Sequence, residues 1–231
     1  MLLSIIRQNQ KLAAKRNPAF DRNRFAKFLI YFMVAFWAAY LIFIGVMLSF
    51  AFEDIFPSME PYHIMNQGLI YLLILDFLLR FMLQPAMSQE IKPYLLMPVK
   101  KNKLVDTLLL QSGISSYNFF WFFLIIPFAL LTIIRFYGLT GILCYLCGIW
   151  LLMVMNCYWY LICKTLLNEK LLYILLPIGV YGLLAGTEFI PEGNPVSTFM
   201  MNLGEGFIEG NILAFLGVIA AILLLLRSEE R

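Results

Sequence analysis

Long apolar runs alternate with short polar segments along this chain. A helix needs ~20 mostly apolar residues to cross the ~30 Å hydrocarbon core of a bilayer. The apolar residues here are consecutive, whereas the strands of a transmembrane barrel alternate apolar and polar positions. The pattern therefore predicts an all-α, polytopic membrane protein with six transmembrane helices. The predicted spans are residues 28–51, 65–83, 108–134, 139–163, 171–185 and 212–226.

The composition points to the same class and excludes others. Of the 231 residues, 62% are hydrophobic and 13% are charged, and the mean hydropathy is +0.83. An ordinary soluble domain carries about 25% charged residues. One soluble core could not bury this much apolar surface, which excludes a soluble enzyme, a disordered chain and a disulfide-stapled secreted domain. Because the connecting segments are short, residues 1–231 are expected to form a single transmembrane domain.

The distribution of charge predicts an orientation. If six spans alternate in direction, all 17 Lys and Arg residues except Arg80 and Arg135 fall on one side. Positive charge is enriched in cytoplasmic segments, so this side and both chain termini are predicted to be cytoplasmic. The acidic residues predicted to lie on the opposite side are Glu53, Asp54, Glu60, Glu188, Glu192, Glu205 and Glu209.

The N-terminal segment, residues 1–27, mixes apolar and basic residues. Ile5, Ile6 and Leu12 alternate with bases in a pattern typical of an amphipathic helix lying at the cytoplasmic membrane surface, in contact with lipid. Pro18 is expected to end this helix, because the residue before a proline avoids the helical region. The alternative is a solvated basic arm that serves only topology.

The predicted cytoplasmic loop 84–106 is longer than two spans need as a connection. Pro93 and Pro98 bracket an apolar tetrapeptide that begins with Tyr94, and lysines follow immediately. An apolar knob with a basic rim favours docking into a groove on a soluble partner. The alternative is a loop that only anchors in anionic lipid headgroups. The candidate partner-binding residues are Glu90, Ile91, Lys92, Pro93, Tyr94, Pro98, Lys100, Lys101 and Lys103.

The predicted outer loop 187–211 is also longer than a turn. Pro195 can begin a short helix, in which apolar residues such as Phe199 and Leu203 recur at helical spacing. Such a segment is expected to be re-entrant or to lie flat at the outer surface. The alternative is an ordinary exposed loop whose periodicity arises by chance.

Asp76 and Arg80 form a predicted intramembrane polar pair within the second span. Charges at this depth are costly and usually face a bundle interior or an aqueous cavity. Their i, i+4 spacing places both side chains on one face of the helix. They are either a polar element on a substrate path or a structural ion pair with Arg80 extending toward the headgroups. The other polar residues in or near spans, expected to join helices by hydrogen bonds, are Asn66, Gln67 and Asn156.

The sequence lacks the residues of common catalytic and metal sites. His63 is the single histidine, and one histidine cannot form a zinc triad. The sequence contains no HExxH, GxSxG or GxxxxGK[ST] motif, and its bases do not form a nucleic-acid patch. We therefore expect no catalytic residue, metal or cofactor in this chain and no nucleic-acid partner. The cysteines, interpreted as packing residues, are Cys144, Cys147, Cys157 and Cys163.

Two sequence stretches carry a family resemblance. Residues 66–84 and 90–112 combine an acid and an arginine in the second span with a Pro- and Lys-rich string. The matching positions are Asp76, Arg80, Ile91, Lys92, Pro93, Tyr94, Leu95, Pro98, Val99, Lys100, Lys103, Leu104 and Val105. With the six-span layout, this pattern resembles the type-2 ABC transporter permeases, the six-span membrane subunits of exporters. It is most similar to an uncharacterised Bacteroidetes-type family of ABC permease-like proteins.

The resemblance implies a function. It implies the permease subunit of an ATP-driven exporter in the bacterial inner (cytoplasmic) membrane, present as a homodimer or paired with a second permease. Loop 84–106 would then be the coupling loop that docks into a separate P-loop ATP-binding subunit, which supplies ATP and Mg²⁺. Residues 1–27 would be the connecting helix and residues 188–210 the outer re-entrant helices. The alternative function is a non-transport membrane scaffold or assembly protein that recruits a cytoplasmic partner through the same loop.

Overall fold

A computed structural model describes residues 8, 12, 24–84, 101–187 and 194–229. From Arg24 onward, the described residues form nine α-helices and include no strand, which confirms the all-α class. Most of the predicted N-terminal helix lies outside the described residues, as do residues 85–100 and 188–193. The helices are α1 (Arg24–Ile55), α2 (Pro61–Gln67), α3 (Leu69–Leu83), α4 (Lys101–Gly113), α5 (Phe122–Thr132), α6 (Ile134–Glu169), α7 (Leu175–Gly186), α8 (Pro195–Ile208) and α9 (Ile212–Glu229).

The apolar helices indicate a membrane protein with two to five candidate spans. Two helical stretches, Lys27–Ile55 and Ile134–Asn168, are long and apolar enough to cross a bilayer unaided. Three bent pairs, α2–α3, α4–α5 and α8–α9, pass the same criterion if each pair counts as one span. The predicted fifth span corresponds to a shorter apolar helix, Leu172–Leu184, which is below the usual length for a span. The total of six stays a prediction.

Glycines lie at two of the bends and near the start of α6. Helices α2 and α3 meet at 48° around Gly68, and α8 and α9 meet at 115°. In the second bend Gly210 has a φ of 73°, a left-handed conformation that costs a glycine little. Gly138, with a φ of 63°, likewise interrupts the start of α6. Helix α8 begins at Pro195 after Asn194, whose side chain caps the amides of Val196 and Ser197, so the predicted helix start is confirmed.

Helices α3 and α6 run parallel to each other. Asn66, just before α3, contacts Tyr145 of α6, and Gln84, just after α3, contacts Lys164 further along α6. We call the end of the molecule that holds Gln84 and Lys164 the loop end, because the 85–100 segment starts there. The opposite end, which holds Asn66, is called the far end.

Helices α4, α5 and α1 run in the opposite direction. Tyr158 of α6 donates a hydrogen bond to the Leu109 carbonyl of α4, and the chain then passes toward the far end. There Arg135, just after α5, pairs with Glu53 of α1 at 2.8 Å. Helix α1 therefore begins at the loop end and finishes at the far end.

Helix α6 is the centre of the packed core. Its residues Tyr145, Ile149, Met153 and Tyr160 are completely buried, and it packs against α3, α4, α5, α8 and α9. Helix α1 is the opposite case, since most of its large apolar side chains are exposed. Such a surface suits contact with acyl chains, where apolar exposure costs nothing.

Candidate functional site

The most polar part of the described core is a cluster around Asp76, in the middle of α3. One carboxylate oxygen, Oδ1, accepts a hydrogen bond from the indole Nε1 of Trp121 at 2.8 Å. The other, Oδ2, accepts from Arg80 Nε at 2.6 Å and from Asn156 Nδ2 at 2.8 Å. Only 4% of the Asp76 side chain is exposed. A carboxylate this deeply buried is tolerable because both oxygens have partners, one of them charged.

Asn156 connects the cluster to two further elements. Its amide nitrogen also donates to the backbone carbonyl of Leu73, at 2.9 Å, so it holds α3 by main chain and side chain together. Its amide oxygen accepts a 2.8 Å hydrogen bond from the hydroxyl of Tyr181 on α7. The ring of Tyr181 packs against Phe77, with centroids 4.9 Å apart. A single amide therefore joins α3, α6 and α7, and the predicted role of Asn156 in joining helices is confirmed.

Arg80 stays inside the protein. Its side chain is 1% exposed and uses Nε for Asp76, so the expectation that it extends toward the headgroups is wrong. The reason is geometric, because one helical turn brings Asp76 within reach and the ion pair replaces solvation. The terminal nitrogens Nη1 and Nη2 are buried and have no hydrogen-bond partner among the described residues.

A second polar contact fixes the loop end of α3. The ammonium of Lys164 donates to the carbonyl oxygens of Phe81, at 3.1 Å, and of Gln84. The hydroxyl of Tyr160 donates to the same Gln84 carbonyl at 2.8 Å. The last carbonyls of a helix have no intrahelical donors and carry partial negative charge. A cation and a hydroxyl from α6 therefore cap α3 at the residue where the 85–100 segment begins.

Helix α6 also packs against α4, the helix that follows the 85–100 segment. Leu104, Leu108 and Leu109 of α4 are buried in the core. The hydroxyl of Tyr158 on α6 donates a 3.1 Å hydrogen bond to the Leu109 carbonyl. Helix α6 therefore holds Gln84 before the segment and Leu109 in the helix that follows it.

Most of the predicted partner-binding residues lie outside the residues that the structure describes. Glu90, Ile91, Lys92, Pro93, Tyr94, Pro98 and Lys100 lie outside the described residues, and Lys101 and Lys103 are described only as part of the α4 backbone. The structure brings Asp76 and Arg80 together. It adds partners that the sequence did not single out, which are Trp121, Tyr160, Lys164 and Tyr181. Lys164 carried one usable signal, since it is a charged residue at the end of an apolar run.

Polar contacts at the far end hold α8 against α2. His63 Nδ1 lies 2.5 Å from Glu205 Oε1, and Gln67 Nε2 lies 3.3 Å from the sulfur of Met201. Asn66 accepts a 2.9 Å hydrogen bond from Tyr145, so the prediction that Asn66 and Gln67 join helices is confirmed. His63 is therefore paired with the carboxylate of Glu205. Among the described residues, no group of three metal-ligating side chains occurs.

Comparison with known proteins identifies the family of this chain but no activity. A family model matches residues 10–230, and its description is a family of unknown function (DUF5687). No curated protein and no solved structure matches the chain. The matched residues include the buried cluster, Gln84 and Leu109 on either side of the 85–100 segment, and the bent pair α8–α9.

Proposed function

The chain belongs to DUF5687, a family of unknown function, and we propose that it is the membrane-spanning permease subunit of an ATP-driven, ABC-type exporter. In this proposal six spans and an N-terminal interfacial helix form one permease domain in the bacterial inner membrane, with both termini and the loop end in the cytoplasm. Loop 84–106 couples a separate ATPase to substrate movement. Support comes from the Pro- and Lys-rich string of the loop and from the way Gln84 and Leu109, on either side of the 85–100 segment, are held.

The observation that carries the proposal is the attachment of Gln84 and Leu109, on either side of the 85–100 segment, to α6. Lys164 and Tyr160 hold Gln84 before the segment, and Tyr158 holds Leu109 in the helix that follows it. A force applied to the loop by a docked partner therefore reaches α6 from two directions.

Helices α3 and α6 are suited to move as one body. Asn156, Tyr160 and Lys164 follow each other at four-residue spacing on one face of α6. Asn156 binds the Asp76 carboxylate, and Tyr160 binds the Gln84 carbonyl. Lys164 binds the Phe81 and Gln84 carbonyls. Closure of a docked ATPase pair would displace α3 and α6 together. Such coupling requires that the ATPase contact the two states of the permease differently.

The bent pair α8–α9 supports the same assignment. Its 115° bend turns α8 back onto α2, where Glu205 meets His63 and Met201 meets Gln67. The resemblance implies outer re-entrant helices in this region, and a short helix folded against the far end has the shape of one. In the proposal α8 closes the outer end of the substrate path.

The chain requires partners in this function. A P-loop ATP-binding subunit supplies ATP and Mg²⁺ because this sequence has no GxxxxGK[ST] motif. A second copy of the chain or a second permease completes the path, as both halves of an exporter enclose it.

Purification from native membranes tests the proposal. A tagged wild-type chain is expected to carry a P-loop ATPase with it. Reversing the charge of Lys100, Lys101 and Lys103 to Glu should release the ATPase, since the basic rim faces the partner. A matched control reverses Lys11, Lys15 and Arg16, which changes net charge equally outside the loop, and should retain the ATPase. Retention of a fully active ATPase by the loop variant would show that docking lies elsewhere.

The scaffold alternative gives a different result in the same preparation. A scaffold would bind its partner through the loop without a nucleotide-dependent change in the membrane helices. Hydrogen exchange of α3 and α6, measured with and without ATP, separates the two functions. The permease is expected to change exchange at the loop end on ATP addition, and an unchanged pattern favours the scaffold.

A further inference from the structure

Arg80 has unused hydrogen-bonding capacity in the middle of the protein. We propose that its terminal guanidinium nitrogens bind a phosphate-type oxyanion in a site between α3, α6 and α7. The site is independent of the proposed export function, because its evidence comes from the buried cluster and requires no ATPase.

The guanidinium of Arg80 is only partly hydrogen-bonded. Nε is used by Asp76, and Nη1 and Nη2 are buried with no partner among the described residues. A buried, charged donor without an acceptor costs more than the ~1–3 kcal/mol of a neutral one. The two nitrogens form a planar fork that matches the paired oxygens of a phosphate. A ligand with this chemistry would remove the cost.

Asp76 engages the guanidinium through Nε and not through Nη1 or Nη2. Its Oδ1 is taken by Trp121, and its Oδ2 is shared by Arg80 Nε and Asn156. The carboxylate therefore pairs with one edge of the guanidinium and leaves the other edge free.

The formal charges near Arg80 also favour an anion. Among the described residues in the loop-end halves of α3 and α6, the buried or half-buried charged side chains are Asp76, Arg80 and Lys164. These described side chains sum to a formal charge of +1, and the Lys164 ammonium is engaged with main-chain carbonyl oxygens. Lys164 lies within one turn of Arg80 along α3, through its contacts with the Phe81 and Gln84 carbonyls. An oxyanion would neutralise the excess.

Access to the site lies through α7. Most described residues of α7 are exposed, and its main polar tie to the cluster is the hydroxyl of Tyr181 on Asn156. Moving α7 aside would break this hydrogen bond and the packing of the Tyr181 ring on Phe77, whereas its exposed residues would lose few buried contacts. A lipid headgroup would enter from the bilayer past α7, and a free phosphate would enter from the loop end.

Binding to the purified chain tests the site. Delipidated wild-type protein in detergent is titrated with phosphatidic acid or phosphatidylcholine, and bound lipid is counted by native mass spectrometry. We expect phosphatidic acid to bind at least about tenfold more tightly than phosphatidylcholine, which corresponds to about 1.4 kcal/mol. Inorganic phosphate is added as a competitor. If millimolar phosphate displaces phosphatidic acid, the site also binds free phosphate. If it does not, the site binds the lipid headgroup.

The decisive variant is Arg80→Lys. Lysine keeps a positive charge opposite Asp76 but lacks the terminal fork. The affinity of this variant for phosphatidic acid should therefore fall to about its affinity for phosphatidylcholine. Arg227→Lys, the same substitution at the exposed end of α9, is the matched control and should leave the preference unchanged. An unchanged preference in Arg80→Lys overturns the proposal.

A second variant covers the case in which Arg80→Lys does not fold. Tyr181→Phe removes the hydroxyl on Asn156 and leaves Arg80 intact, so phosphatidic acid should exchange faster. A wild-type protein that binds both lipids equally overturns the site without any variant. Failure of the ATPase to co-purify would remove the export proposal and leave this binding result standing.

Discussion

The indole of Trp121 donates a 2.8 Å hydrogen bond to Oδ1 of Asp76. Trp121 immediately precedes α5, and Asp76 lies in the middle of α3, so the bond ties two helical segments of opposite direction. Because Oδ2 is already engaged by Arg80 and Asn156, this indole satisfies the remaining carboxylate oxygen. The cluster is thus a buried ion pair whose anionic half is fully hydrogen-bonded.

Breaking this ion pair should destabilise the protein strongly. Asp76→Ala leaves Arg80 buried without a counter-charge, which costs about 3–5 kcal/mol. Glu53→Ala breaks the exposed pair with Arg135, where the expected cost is about 0–1 kcal/mol. Thermal unfolding of both variants in one detergent provides the comparison. Equal midpoints would show that the buried pair adds no stability.

The far-end packing of α8 should depend on Gly204. A Cβ at this position would overlap the side-chain amide of Asn66, so Gly204→Ala forces α8 away from α2 and should cost about 1–3 kcal/mol. Gly182→Ala is the matched control, because a Cβ there meets nothing within 4 Å and alanine favours the helix. A Gly204 variant as stable as the Gly182 variant would contradict the close packing of α8.

The predicted orientation can be measured with single cysteines. In a variant whose native cysteines are replaced by alanine, Lys170→Cys should react with an impermeant thiol reagent only from the cytoplasmic side. Arg135→Cys, at the far end, should react only from outside. Labelling of both positions in intact cells, or of neither, would contradict the alternation of spans that the charge distribution predicts.

Part of the buried cluster was predictable from the sequence. The i, i+4 spacing of Asp76 and Arg80 already places them on one face, since helical geometry is local. Asn66 and Asn156 stand out as amides in apolar runs, and such groups need partners in hydrocarbon. The helix beginning at Pro195 was likewise predictable, because the missing amide hydrogen of proline is no loss at a helix start.

The partners of these residues were not predictable. Trp121 and Tyr181 belong to a sequence with 4 Trp and 12 Tyr residues, and nothing local distinguishes those that reach a buried carboxylate. The bends at Gly68 and Gly210 were also missed, although they decide which helices meet. A contact across 45 residues, such as that of Trp121 with Asp76, depends on the direction and packing of whole helices.

The amino-acid sequence by itself determined that this is a helical membrane protein, and it placed an acid and an arginine one turn apart in an apolar helix. These properties follow from composition and from the period of one helix. The tertiary structure alone decided that Arg80 remains buried with two unused nitrogens and that α6 holds Gln84 and Leu109, on either side of the 85–100 segment. The physical reason is that burial and long-range hydrogen bonds are properties of packed neighbours, which a single segment does not specify.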